Sequence, residues 1–235
     1  MAKERTTWYR FIRWIARHLL IRFFTGGMRV VGAEKVPKIG PVILSPNHVS
    51  FFDPPVVSCA SPRVVVFMAK EELFKPPVFG PLIRSLNAYP VKRGKGDTSA
   101  VRLALSELND GSTLILFPEG TRGDGKTLLP MQAGVALLAQ KTGASVVPVG
   151  ICGTHKILPK GAKLPRFSRL KIVFGKPFKF EEVGGRTAFS ERLEREIVEA
   201  CHKAGLDVKT ASQHESRTEP GSDGIGTETT PPGPA

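Results

Sequence analysis

The sequence predicts an α/β fold: a mixed, largely parallel sheet flanked by helices and preceded by an N-terminal amphipathic helix. Three observations predict it. Short continuous apolar runs, such as Pro41-Val42-Ile43-Leu44 and Thr113-Leu114-Ile115-Leu116-Phe117, have the pattern of buried strands. Helical patterns separate such runs, the alternation expected of strand–helix–strand units. Residues suited to chemistry follow directly after two of the runs, and loops leaving strands are where a parallel sheet places its ligand crevice.

The first element is Thr7–Phe24, which has helical periodicity. Trp8, Phe11, Ile12, Ile15, Leu19 and Phe23 fall near one face, and Arg10, Arg13 and Arg17 lie on another. His18 and Arg22 bracket Leu19-Leu20-Ile21, so the segment lacks the roughly twenty apolar residues of a spanning helix. It also lacks the continuous apolar core and small-residue cleavage site of a signal peptide. Residues 1–27 are therefore expected to form a basic amphipathic helix lying in the lipid interface. The competing expectation is a helix packed on the protein's own core with its arginines in solvent.

From Met28 the chain alternates. Strands are expected at Met28–Gly32, Val42–Leu44, Val64–Met68, Ala88–Val91, Thr113–Phe117, Val146–Gly150 and Leu170–Phe174. Helices are expected at Pro54–Ala60, Pro77–Ser85, Thr98–Leu108, Gly134–Lys141 and Thr187–Lys203. One domain over residues 28–205 accommodates them. Beyond Ala204 the chain turns to Ser, Thr, Glu, Gly and Pro, so residues 206–235 are expected to be disordered.

Composition narrows the function. An apolar content of 41% over 235 residues is too low for a multi-span membrane protein. Cys59, Cys152 and Cys201 are far apart and odd in number, which argues for free thiols rather than a disulfide framework or metal site. The net charge of +13 suits an anionic partner: substrate phosphates, an acidic carrier protein, anionic lipid or nucleic acid. Part of it lies in Lys156, Lys160, Lys163, Arg166, Arg169 and Lys171, a basic loop after the Val146–Gly150 run that could receive phosphates or simply be solvated.

The chemistry centres on Asn47-His48-Val49-Ser50-Phe51-Phe52-Asp53. Histidine titrates near neutral pH, so His48 could take a proton from a hydroxyl and return it to a leaving group. Asp53 could hold one ring N–H and stabilise the imidazolium; its place before Pro54 also suits a helix N-cap. A second stretch, Phe117-Pro118-Glu119-Gly120-Thr121-Arg122, combines a strand end, a glycine allowing close backbone approach and an arginine suited to phosphate.

These two stretches, in this order, resemble the glycerolipid acyltransferase family, typified by 1-acylglycerol-3-phosphate acyltransferases. His48 and Asp53 match its histidine and aspartate separated by four residues, and Phe117 to Arg122 matches its F-P-E-G-T-R signature without change. Tyr89-Pro90-Val91-Lys92-Arg93-Gly94 and Val147-Pro148-Val149-Gly150-Ile151 resemble two weaker blocks, and the resemblance covers roughly residues 28–180. It implies transfer of a fatty acyl group from an acyl thioester, acyl-CoA or acyl-carrier protein, to the free hydroxyl of 1-acylglycerol 3-phosphate, giving phosphatidic acid. Glycerol 3-phosphate or another lysolipid is the alternative acceptor.

On this reading His48 and Asp53 are catalytic. Arg93, Glu119, Gly120, Thr121 and Arg122 bind substrate, with Glu119 either orienting Arg122 or bonding an acceptor hydroxyl. No metal or cofactor is expected, and the protein would sit peripherally on the anionic cytoplasmic face of the cell membrane. A nucleic-acid-binding protein is disfavoured because the aromatics do not interleave with a basic stripe. A hydrolase using Ser50 or Cys59 is disfavoured because no G-x-S-x-G elbow occurs.

Overall fold

The structure, a computed structural model, describes residues 2–15, 25–77, 79–91, 98–157 and 166–210. Among them the chain forms α1 (Ala2–Ile15), β1 (Met28–Val31), β2 (Val42–Pro46), α2 (Asp53–Ala60), β3 (Val65–Lys70), α3 (Phe79–Ser85) and β4 (Ala88–Val91). There follow α4 (Thr98–Asn109), β5 (Thr113–Ile115), α5 (Gly134–Thr142), β6 (Ser145–Cys152), the one-turn α6 (Thr154–Ile157), β7 (Leu170–Phe174) and α7 (Arg186–Ala204). The strands make one seven-stranded sheet in the order β1-β7-β6-β2-β5-β3-β4. Strands β6, β2, β5, β3 and β4 are mutually parallel, whereas β7 runs antiparallel to β6 and carries β1 parallel beside it.

The strand order puts helices on both faces. The step from β2 to β3 passes over β5 in one direction, and the step from β5 to β6 passes over β2 in the other. Crossovers of one hand taken in opposite directions land on opposite faces. Accordingly Val56 and Val57 of α2 and Ile83 of α3 pack in one core cluster, with Val42, Leu44, Phe67, Ile115 and Val149. Leu108 of α4, Val135 and Leu138 of α5 and Ile197 of α7 pack in the other, with Ile43, Val66, Leu114 and Val146. Neighbouring strand residues enter different clusters because side chains alternate across a sheet. Where α7 crosses β6 there is no room for a side chain: a Cβ on Gly150 would lie 2.2 Å from the Ala200 carbonyl carbon.

The expected elements are present with shifted ends. Strand β5 stops at Ile115 rather than Phe117, although the Leu116 N–H still donates to the Leu44 carbonyl at 3.0 Å. Strand β6 extends to Cys152, two residues past its expected end, and α6 is an element the sequence pattern did not show. The packed chain also runs past residue 205: Leu206 and Val208 are buried, and Lys209 exchanges main-chain hydrogen bonds with Lys126 and Leu128 at 3.0 and 2.9 Å. The tail expected from 206 therefore starts no earlier than 211, and residues 211–235 lie outside the described ones.

Helix α1 corrects the facial assignment. Tyr9, left off the expected apolar face, is 0% exposed and sits in the first core cluster, with Ile12 beside it. Its hydroxyl accepts the Val65 main-chain N–H at 3.4 Å, and burial pushes its pKa up. Arg13, expected on the outward basic face, turns inward, donates to the Ser61 carbonyl at 2.9 Å and lies over the Tyr9 ring. Phe11, expected on the apolar face, and Trp14, which was not assigned to it, are 50% and 56% exposed. The helix is anchored through its polar-aromatic side, where Tyr9 meets Val65, Ser58 and Cys59. The expected continuation through residues 16–24 lies outside the described residues. Among those described, no helix is long and apolar enough to cross a membrane.

Candidate active site

Strands β2 and β5 are neighbours in register, with Leu44 opposite Ile115. His48 follows Leu44 by four residues and Glu119 follows Ile115 by four, so both leave the same sheet end side by side. Parallel pairing thus joins two stretches that the sequence separates by about seventy positions. Asn47 fastens the β2 loop on its other side: its amide donates to the Ile151 carbonyl at 3.2 Å and accepts the Ile151 N–H at 2.7 Å. Asn47 was not among the expected site residues; its place beside the histidine was the available signal.

The dyad is formed. His48 Nδ1 lies 2.9 Å from Asp53 Oδ2, and the same oxygen accepts the main-chain N–H groups of Val49 and Ser50, both at 2.7 Å. Asp53 is the first residue of α2 but does not cap that helix; its carboxylate turns back over the preceding loop. An oxygen already accepting two N–H groups acts as an acceptor toward the ring, which assigns the proton to Nδ1 and leaves Nε2 to accept. The ring stacks on Phe117 with centroids 4.0 Å apart, and His48 is 8% exposed, so one edge reaches solvent.

Glu119 is buried, and both its oxygens are held by main-chain N–H groups. Oε1 accepts the His48 N–H at 2.7 Å and Oε2 accepts the Leu129 N–H at 3.0 Å. Neither oxygen bonds Arg122. Burial raises the pKa of Glu119 to about 7, outweighing the two N–H bonds that lower it. The loop is tied down again where the Gly123 N–H donates to the His48 carbonyl at 2.8 Å. A Cβ on Gly123 would come 3.1 Å from Glu119 Oε2, so a small residue is needed there.

Arg122 lies above the ring of Phe51 with its guanidinium carbon 3.6 Å from the ring centroid. Gly120 has φ +65°, the left-handed turn that lets the loop reverse after Glu119, and the Thr121 side chain is exposed. Arg93, Lys160 and Lys163 lie outside the described residues. Ser50 is fully buried and its hydroxyl accepts the Phe52 N–H, while Cys59 is buried on α2; neither candidate hydrolase nucleophile is open to a substrate. His155 on α6, a residue no sequence signal singled out, sits near Gly125, and burial lowers its pKa. Among the described residues no group of three or more His, Cys, Asp or Glu could hold a metal ion.

A histidine with a free ring nitrogen, oriented by a fixed carboxylate beside an unspent guanidinium, can deprotonate a hydroxyl of an anionic molecule. The profile of the Acyltransferase family matches residues 27–152. A 1-acyl-sn-glycerol-3-phosphate acyltransferase of Bacillus subtilis is 26% identical over 153 residues, 65% of this chain and 74% of that protein. A chloroplastic 1-acyl-sn-glycerol-3-phosphate acyltransferase of Brassica napus is 28% identical over 152 residues, 63% of this chain and 44% of that protein, so the chain spans under half of that relative. A lyso-ornithine lipid O-acyltransferase of Rhizobium meliloti is 34% identical over 150 residues, 63% of this chain and 49% of that protein. The crystal structure of the 1-acyl-sn-glycerophosphate acyltransferase PlsC from Thermotoga maritima superposes with a TM-score of 0.75 at 29% identity, covering 86% of this chain and 81% of that one.

Proposed function

The chain belongs to the Acyltransferase family, and from that premise we propose that it moves a fatty acyl group from an acyl thioester to the free hydroxyl of 1-acylglycerol 3-phosphate. The product is phosphatidic acid. The observation that carries the mechanism is the 2.9 Å contact of His48 Nδ1 with an Asp53 oxygen already held by two main-chain N–H groups. Nε2 accepts the acceptor's hydroxyl proton as its oxygen forms a bond to the thioester carbonyl carbon. Collapse of the tetrahedral adduct breaks the carbon–sulfur bond, and the imidazolium returns the proton to the departing thiolate. Asp53 stabilises that imidazolium without itself taking the proton.

Arg122 forks the acceptor's phosphate, a match of planar donors to paired oxygens. Glu119 holds His48 and the Arg122 loop in register through main-chain bonds, and Gly120 shapes the turn between them. Written this way the reaction balances without a metal or redox group, with acyl-CoA or an acyl-carrier protein as donor. Phe11 and Trp14 on α1, half exposed beside the exposed Arg10, support peripheral attachment to an anionic lipid surface. The test is the purified protein with labelled acyl-CoA and 1-acylglycerol 3-phosphate, beside a control in which only His48 is replaced by Ala. Phosphatidic acid formed by the parent and absent with the folded His48→Ala protein supports the reading; equal product from both refutes it.

A second acceptor is favoured by the 34% identity to a lyso-ornithine lipid acyltransferase. The dyad would act unchanged on such a lysolipid, and Arg122 would meet a carboxylate instead of a phosphate. Including that lysolipid and glycerol 3-phosphate in the same assay ranks the acceptors by kcat/KM.

A further inference from the structure

The guanidinium of Arg122 lies over the face of Phe51, and among the described residues it makes no side-chain hydrogen bond or ion pair. A separation of 3.6 Å from the centroid is close to the carbon–carbon contact distance of about 3.5–4.0 Å, so the guanidinium carbon stands nearly over the ring centre. At that height the group fits only when laid flat, since a tilted one would drive an N–H into the ring. A flat guanidinium keeps its five donors in its own plane, pointing outward at the edge. The stack therefore restrains the arginine while leaving the fork that a phosphate needs open.

Phe51 itself is held by the catalytic turn. It lies between Ser50, whose carbonyl accepts the Asp53 N–H at 3.2 Å, and Phe52, whose N–H donates to the Ser50 hydroxyl at 3.3 Å. The same turn supplies the N–H groups of Val49 and Ser50 that fix Asp53. Yet Phe51 is 50% exposed and belongs to neither core cluster, so core packing does not account for an aromatic ring there.

We propose that Phe51 is the positioning residue for Arg122, its ring pre-setting the guanidinium so that an acceptor phosphate is taken in register with His48. This rests on the reading of Arg122 as the phosphate ligand. In 1-acylglycerol 3-phosphate the reacting hydroxyl and the phosphate are on adjacent carbons, so misplacing one misplaces the other. An arginine ordered before binding spares the cost of ordering it during binding, and the cation–π attraction of the ring supplies that order in the free protein. Together these correspond to about a 2- to 10-fold lower acceptor KM.

The experiment is steady-state kinetics with 1-oleoylglycerol 3-phosphate at saturating oleoyl-CoA, on the parent, Phe51→Leu, Phe51→Tyr, Arg122→Ala and the Phe51→Leu/Arg122→Ala double variant. Thermal melts confirm that each is folded, and Phe51→Tyr keeps the ring if Phe51→Leu does not fold. The proposal expects Phe51→Leu to raise the acceptor KM about 2- to 10-fold with a smaller change in kcat, and Phe51→Tyr to stay near the parent. It also expects Phe51→Leu to add nothing once Arg122 is Ala. A parent-like KM for Phe51→Leu alongside a raised KM for Arg122→Ala overturns the proposal alone. So does an equal Phe51→Leu effect in both backgrounds, since the ring would then act without the guanidinium. An unchanged KM for Arg122→Ala removes the phosphate reading itself, and the proposal with it.

Discussion

The main-chain N–H of His48 donates to the buried Glu119 carboxylate at 2.7 Å, joining two loops that the sequence separates by 71 positions. A carboxylate is thereby used to hold the backbone of the base, and its other oxygen holds Leu129. The position of the histidine thus depends on an acid whose charged form is disfavoured by burial.

That dependence has a pH signature. The pKa of Glu119 is raised from 4.5 to about 7, so between those values the folded state keeps a proton that the unfolded chain has lost. Its contribution to stability is full below about pH 4.5, declines as pH rises through about 7 and is flat above. The difference is on the order of 3 kcal/mol. In urea titrations across this range, the stability of the parent minus that of Glu119→Gln should fall as pH rises from about 4.5 to about 7. A constant gap would show that Glu119 titrates as an ordinary carboxylate.

His48→Ala should remove base catalysis, a loss of at least about 10²–10⁴-fold in kcat, in a protein that still folds. Asp53→Asn keeps the size of the side chain but offers the ring an amide, so kcat should fall strongly while acceptor KM moves little. Rates and melts on the two variants check both statements.

Arg122→Ala should raise the acceptor KM by about 10- to 100-fold, the range of a charge-assisted hydrogen-bonded contact. Arg122→Lys should recover only part of it, because a point charge lacks the planar fork and stacks less well on Phe51. Acceptor titration of both variants is the measurement.

Removing α1 tests two things at once and should be avoided, because Tyr9 belongs to the core. Tyr9→Ala should cost about 3–5 kcal/mol in unfolding. The Phe11→Ser/Trp14→Ser double variant, at half-exposed positions, should keep the melting temperature and lose flotation with anionic vesicles. The salt-resistant part of binding should fall most, since burying apolar area does not depend on ionic strength. Vesicle binding equal to the parent would remove these two side chains from membrane attachment.

Gly150→Ala should destabilise by about 1–3 kcal/mol or more, because the added Cβ meets the α7 backbone at Ala200 rather than a side chain that could turn away. Chemical denaturation of this single variant is sufficient.

By itself the sequence determined the alternation of strands and helices, because unbroken apolar runs such as Val42–Leu44 are suited to little except buried strands. It also determined the His48–Asp53 pair: both partners lie within one turn, so local chain geometry brings them together. What it left open was everything that depends on which strands are neighbours. Glu119 could be assigned to backbone support only once β5 lay beside β2, and Asn47 only once β6 lay on the other side. The same holds for α1, where a periodicity count placed Tyr9 off the apolar face and Arg13 on the outward basic face. Periodicity reports that a helix has two faces, but the gap it fills decides which face is buried. Phe51 is the clearest case: its sequence position shows an aromatic after the histidine, and only the folded loops place Arg122 on its ring.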